Sequence, residues 1–252
     1  MIHLEKFETN ITSTCTNRCI CCDHYSPLQE AWFVDPEKLE ADLRAASRLL
    51  HAGDYRLIGG EPTLHPQILE ILDIARASRV ADTVSVWTNG MRLEKMAQAF
   101  WKKVDGIAVT VYPKLGNERL DWIKERCEEA CVSLRIVQHP HFNRTFSQGE
   151  MSQAEALEMY ARCIYRSCNE YDNGWFYHCN NARFISSLVM GMEEGTDGIN
   201  LHTASEEEFR AYLEDKTHPF ESCKRCVQTK LIPVEWREVG RSDWYEESEY
   251  RG

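Results

Sequence analysis

Cys15, Cys19 and Cys22 stand at the spacing C-x3-C-x2-C within the run Cys15-Thr16-Asn17-Arg18-Cys19-Ile20-Cys21-Cys22. Three thiolates on a short loop can hold three irons of a 4Fe–4S cluster and leave the fourth iron open to another molecule, an arrangement for chemistry rather than support. The same thiols, with neighbouring His24 as a fourth ligand, would also suit zinc. Cys21 lies inside the run but off its spacing and is read as a bystander. A second set, Cys163, Cys168, Cys179, Cys223 and Cys226, offers five thiols for one four-ligand site, where a cluster and a structural zinc are again alternatives. Cys127 and Cys131, four apart, share a helix face and read as buried small hydrophobes.

Other residues could handle a substrate. Gly59-Gly60-Glu61-Pro62 permits close backbone approach, and a carbonyl or carboxylate there can bind an ammonium group. Arg135 could bind a carboxylate or phosphate or polarise a hydroxyl, His139 or His141 could take a proton, and Tyr112 is a further candidate. The ordinary alternatives are a salt-bridge arginine and surface-loop histidines.

The elements that must position these groups alternate. Leu4 to Thr12 reads as a strand ending at the Cys loop, and Asp35-Pro36 starts a helix continued by Leu39, Leu43, Ala46 and Leu50. Tyr55 to Ile58 is a second strand running into Gly59, and Ile68 to Ala75 a second helix. Thr83 to Trp87 is a third strand closed by Thr88-Asn89-Gly90. A helix over Leu93 to Phe100, a strand over Gly106 to Val111, a helix over Leu120 to Ala130 and a strand over Val132 to Val137 complete five strands and four helices. Strands separated by helices predict an α/β fold of parallel βαβ units, with ligand groups on the loops after the strands. From about Met151 the rhythm stops. Ser152 to Arg162 reads as a helix and Asn169 to Tyr177 as a hairpin turning at Asn173-Gly174. The expected domains are 1–150 and 151–252.

A chain of 252 residues that is 43% hydrophobic can bury a medium domain and a small one. Its net charge of −11, from 40 acids against 29 bases, gives no electrostatic footprint for nucleic acid or anionic membrane, though it does not exclude a single nucleotide. Met1 to Lys6 carries no apolar signal core and no long apolar run follows, so a soluble, cytoplasmic protein is expected. Eleven cysteines in such a chain point to metal or redox chemistry rather than disulfides.

The Cys15/Cys19/Cys22 spacing, with Gly59-Gly60-Glu61-Pro62 one βα unit later, resembles the radical S-adenosylmethionine (radical SAM) enzymes. The resemblance implies a shortened TIM-like βα barrel of about five parallel strands. It also implies a 4Fe–4S cluster whose open iron is chelated by SAM and which cleaves SAM to a 5′-deoxyadenosyl radical. Gly59, Gly60, Glu61 and Pro62 would hold the amino group of SAM, Thr88 and Asn89 its ribose or carboxylate, and Val137 to His139, with Gln138, the adenine. Cys21 stands where many members have an aromatic residue. The second half resembles the twitch form of the SPASM domain, which carries an auxiliary 4Fe–4S cluster. Its pattern is met by Cys163, Gly174, Cys179, Cys223 and Cys226, with Cys163 favoured over Cys168 on spacing.

Four protein ligands leave no open iron on an auxiliary cluster, which then serves electron transfer or substrate positioning. The first expectation is therefore oxidation of a small polar metabolite, as in a radical SAM dehydrogenase acting on an aminocyclitol, with the substrate over the barrel mouth between the clusters. A flavodoxin- or ferredoxin-type protein would supply electrons. Epimerisation or isomerisation is the runner-up, nucleotide-base modification is a further alternative, and a non-catalytic zinc or iron–sulfur interaction protein is the alternative of another class.

Overall fold

The structure, a computed structural model, describes residues 1–138 and 141–251. The chain divides into two compact units, Met1–Thr16 with Ala31–Pro140, and Asn17–Glu30 with His141–Gly252.

The first unit is an α/β layer. Strands β1 (Ile2–Asn10), β2 (Leu50–Ile58), β3 (Ala81–Thr88), β4 (Gly106–Thr110) and β5 (Ser133–Val137) lie in the order β5-β4-β3-β2-β1, every neighbouring pair parallel. Helices α1 (Pro36–Ala46), α2 (Ile68–Ser78), α3 (Gln98–Trp101) and α4 (Asn117–Glu129) connect them. Asp35 caps α1 by accepting from the Lys38 N–H at 3.1 Å, with Pro36 at the first helical position. The expected α/β class and its five parallel strands stand.

Pairing register sorts the side chains into two faces. Phe7, Tyr55 and Val84 form one apolar row, with Leu57, Val86 and Ile107 in another, and the Phe7 and Tyr55 rings stack at 4.5 Å. Glu8, Arg56, Ser85, Gly106 and Ser133 form a row on the opposite face, joined there by Trp87, Ala108 and Arg135. Both β1 and β2 begin earlier than their apolar patterns predict, because backbone pairing from Ile2 with Leu50 onward tolerates polar side chains. The helix expected over Leu93 to Phe100 is broken. A 3-10 turn at Leu93–Lys95 is separated from α3 by extended backbone at Met96 and Ala97. Leu93, on the first piece, and Phe100 and Trp101, on the second, are all buried.

The second unit contains β6 (Phe142–Asn143), α5 (Gln153–Ala161), β7 (Glu170–Asp172), β8 (Trp175–Tyr177), α6 (Asn180–Phe184), β9 (Ile199–Asn200), α7 (Glu206–Glu214), β10 (Pro233–Val234) and α8 (Arg241–Ser248). Strands β7, β8 and β9 pair antiparallel, as do β10 and β6. Asn173 and Gly174 both have positive φ, so the expected hairpin turn is of the primed kind that matches strand twist. Ser152 and Glu155 form a reciprocal capping box on α5.

The unit boundary differs from the expected 150/151 division, because the Asn17–Glu30 segment groups with 141–252. Its apolar residues supply the reason. Ile20, Cys21 and Tyr25 pack in one buried cluster with Phe146, Phe184, Ile185, Val239 and Trp244. The Tyr25 ring lies 5.6 Å from Phe184 and 5.5 Å from Trp244, and its hydroxyl lies 3.0 Å from Thr145 Oγ1 and 3.3 Å from Asn181 Oδ1.

Candidate active site

In the first unit, the chain after β1 runs against the turn after β2. The Gly60 N–H donates to the Thr12 carbonyl and the Glu61 N–H to the Thr14 carbonyl, each at 2.8 Å. A Cβ at Gly60 would come within 2.3 Å of the Thr14 carbonyl oxygen, and one at Gly59 (φ 129°) within 2.4 Å of that of Thr12. Both glycines are required by this close approach, which seats the turn directly beside the residues leading into Cys15.

Glu61 ties neighbouring turns together. Its carboxylate is fully buried and accepts from the Thr63 hydroxyl and the Thr88 hydroxyl at 2.6 Å each, from the Thr63 N–H at 3.1 Å and from the Asn89 N–H at 2.8 Å. Burial raises its pKa above the ordinary value despite these donors. The group fastens the Gly59-Gly60 turn to the Thr88-Asn89 turn, and Pro62 follows it into a 3-10 turn. Asn89 in turn donates through Nδ2 to Cys15 Sγ at 3.7 Å and to Thr16 Oγ1 at 2.9 Å.

The later-strand candidates are more dispersed. Tyr112 is half-buried after β4, Gln138 is exposed after β5, and His141 is exposed in the second unit. His139 lies outside the described residues. Arg135 is exposed on the polar face of the sheet, its guanidinium 5.4 Å from the Trp87 ring centre, while Arg56 lies 4.6 Å from the same ring. Both line a cavity of about 230 Å³ with Asp54, Ser85 and Ser133. Asp54 is engaged by Arg56 Nε at 2.8 Å and Ser85 Oγ at 3.0 Å. Among the described residues Arg135 has no carboxylate partner.

In the second unit, Cys19 is buried and held at two atoms. Trp236 Nε1 donates to its Sγ at 3.2 Å and Trp244 Nε1 to its carbonyl at 2.7 Å. Cys22 is half-buried. Cys21 adopts positive φ, its N–H donates to Ser248 Oγ at 3.1 Å, and burial pushes its thiol up to about 11. Its thiol also donates to the Ser248 carbonyl at 3.7 Å. His24 has its pKa lowered by burial.

Cys163 and Cys168 flank the 3-10 turn Ile164–Ser167, Cys179 caps α6 by accepting from the Ala182 N–H at 3.4 Å, and Cys226 Sγ accepts from Asn181 Nδ2 at 3.6 Å. Burial pushes the Cys179 thiol well up, and Cys226, Cys168 and Cys223 raise it further. Cys223 is raised by burial and then by Cys226, with a smaller effect from Cys163. Cys226 is pushed up to about 11 by burial, with Cys163 adding to it. Raised in this way the groups rest as neutral thiols, and a bound cluster or metal would have to deprotonate them. Donors to Cys15 and Cys19 sulfur fit ligated thiolates. Among the described residues no group of three or more His, Cys, Asp or Glu is arranged to hold a metal ion. The pair expected to be buried on α4 is split. Cys127 is buried, whereas Cys131 lies past the helix end and is exposed.

Comparison with known proteins bears on the first unit most directly. Residues 9–130 match the profile described as Radical SAM superfamily. A GTP 3′,8-cyclase of Chlorobaculum tepidum is 34% identical over 137 residues, 52% of this chain and 40% of that one. The chain spans less than half the length of the curated relatives it matches first. A structure titled as BtrN in complex with AdoMet and 2-DOIA superposes with a TM-score of 0.54 at 13% identity, covering 91% of this chain and 87% of that one. Native anSMEcpe with bound AdoMet and Cp18Cys peptide superposes at 0.52 and 11% identity, covering 98% and 96%. These two likenesses are of fold. No described helix is long and apolar enough to cross a membrane.

Proposed function

We propose that this chain, whose place in the radical SAM superfamily is supported by its profile match and its fold, is an oxidising radical SAM enzyme acting on a small polar substrate. Cys15, Cys19 and Cys22 would hold the SAM-binding 4Fe–4S cluster. When bound, that cluster would supply the electron for reductive cleavage of SAM, the chemistry that would let a hydrogen atom be taken from the substrate. The observation that carries the reading is the hydrogen-bonded line from the Gly59-Gly60 turn through Glu61 and Asn89 to Cys15 Sγ.

This chain's residues do the positioning. The Glu61 carboxylate holds two strand-end turns in register, and Gly59 and Gly60 let the backbone lie where a side chain would collide. Arg135, steadied on the Trp87 ring, would hold a carboxylate or phosphate of the substrate. Tyr112, His139 and His141 remain candidates for taking its proton. Cys163, Cys179, Cys223 and Cys226 would ligate a second cluster as electron acceptor, with no ligand position left for substrate. A flavodoxin- or ferredoxin-type protein would be the electron donor.

A second reading, nucleotide modification, is favoured by the sequence relatives that match part of this chain, which are named as GTP 3′,8-cyclases or probable ones. Anaerobic turnover with SAM and a reductant separates the two. A product two mass units lighter than an amino sugar, cyclitol or amino-acid derivative supports dehydrogenation. Consumption of GTP to an isomeric product, with no dehydrogenation of such compounds, supports the second.

A further inference from the structure

We propose that Trp236 is a positioning residue that raises the reduction potential of the cluster held by Cys15, Cys19 and Cys22, an inference that rests on reading those thiols as ligands. An indole nitrogen can only donate, so the 3.2 Å contact from Trp236 Nε1 makes Cys19 Sγ the acceptor. A donor to a ligand sulfur draws negative charge from it. The reduced cluster carries one more negative charge than the oxidised one, so the bond favours the reduced state. Cys19 is buried, which strengthens such a bond by excluding water.

The placement is built by the backbone. Residues 237–239 run antiparallel to 18–20, with the Ile20 N–H donating to the Arg237 carbonyl at 3.0 Å and the Val239 N–H donating to the Arg18 carbonyl at 2.9 Å. That pairing carries the Trp236 ring to the thiol. Trp244, fully buried, reaches only the carbonyl of the same cysteine. Two indoles thus grip one residue, and of the two it is Trp236 that meets the atom that would bind iron. Trp244 therefore separates a tuning role from a packing role.

The test is a potentiometric titration of the reconstituted 252-residue chain, following the electron paramagnetic resonance signal that changes when SAM is added. Trp236→Phe is expected to shift the equilibrium about tenfold toward the oxidised cluster, which for one electron is about 59 mV to more negative potential. Trp244→Phe is expected to lower the melting temperature and leave the midpoint in place. An unchanged midpoint in Trp236→Phe overturns the proposal. Should that variant take up no cluster, the native chain labelled with 15N in its indoles supplies the readout. A 15N coupling to the reduced cluster in pulsed spectra supports the bond, and its absence overturns it. A native chain that assembles no cluster on the three thiols contradicts the functional reading and this inference together, whereas a normal cluster with an insensitive midpoint contradicts this inference alone.

Discussion

Glu61 and Asn89 are joined by a 2.8 Å hydrogen bond from the Asn89 N–H to Glu61 Oε2, and Glu61 Oε1 accepts at the same time from Thr63 and Thr88. One buried carboxylate thus serves donors from two separate turns. Glu61→Gln keeps the shape but offers only one acceptor oxygen, so at least one buried donor loses its partner. The expected cost is about 1–3 kcal/mol, read as a lower melting temperature by circular dichroism. A melting temperature equal to the parent's would contradict this account of Glu61.

The same group predicts a pH dependence. Burial raises its folded-state pKa above the unfolded value. Between those values the folded chain binds more protons than the unfolded one, so the stability contributed by Glu61 falls as pH rises out of the carboxylate range. The difference in unfolding free energy between parent and Glu61→Gln, measured from about pH 4 to about pH 8, is expected to shrink with rising pH. A difference that grows would reverse the sign.

Asn89→Ala leaves the backbone bond to Glu61 and removes both side-chain donations, to Cys15 Sγ and Thr16 Oγ1. The fold is expected to persist while cluster retention or SAM cleavage drops about 10–100-fold, the range seen when outer partners of metal ligands are lost. Iron content after gel filtration and the rate of 5′-deoxyadenosine release are the measurements, and parent-like values for both count against the role.

The cluster loop and the second unit should melt together through Tyr25. Tyr25→Ala empties an aromatic site between Phe184 and Trp244 and is expected to cost about 3–5 kcal/mol. Tyr25→Phe, which loses only the contacts to Thr145 and Asn181, should cost about 1 kcal/mol. Chemical denaturation distinguishes them; equal losses would locate the stability in the hydroxyl rather than the ring.

The features legible in the sequence were local ones. The thiol spacing, the Asp35-Pro36 helix start and the Asn173-Gly174 turn each depend on residues within a few positions, so composition and order suffice. The grip of Trp236 and Trp244 on Cys19 spans 217 and 225 positions, and no period or motif announces it. Glu61 was visible as a site residue, yet its burial and its tie to Asn89 depend on how two strand ends meet. The break between Leu93 and Phe100 escaped for another reason, since an apolar spacing of seven fits a continuous helix as well as two short pieces.

The choice between Cys163 and Cys168 is open to a direct count. Cys163 bears on Cys223 and Cys226 and Cys168 on Cys179, so each lies near part of the set, and the sequence spacing is what favours Cys163. Cys163→Ala is expected to lower iron from about eight to about four per chain, and Cys168→Ala to leave about eight. The opposite pattern exchanges their roles.

The central claim is that the Cys15, Cys19 and Cys22 set generates a radical from SAM. Its most direct measurement is 5′-deoxyadenosine formed by the anaerobically reconstituted chain with dithionite and SAM. The account predicts release by the parent and none by Cys15→Ala, Cys19→Ala or Cys22→Ala chains that still carry the second cluster. A reconstituted parent that yields no 5′-deoxyadenosine would contradict it.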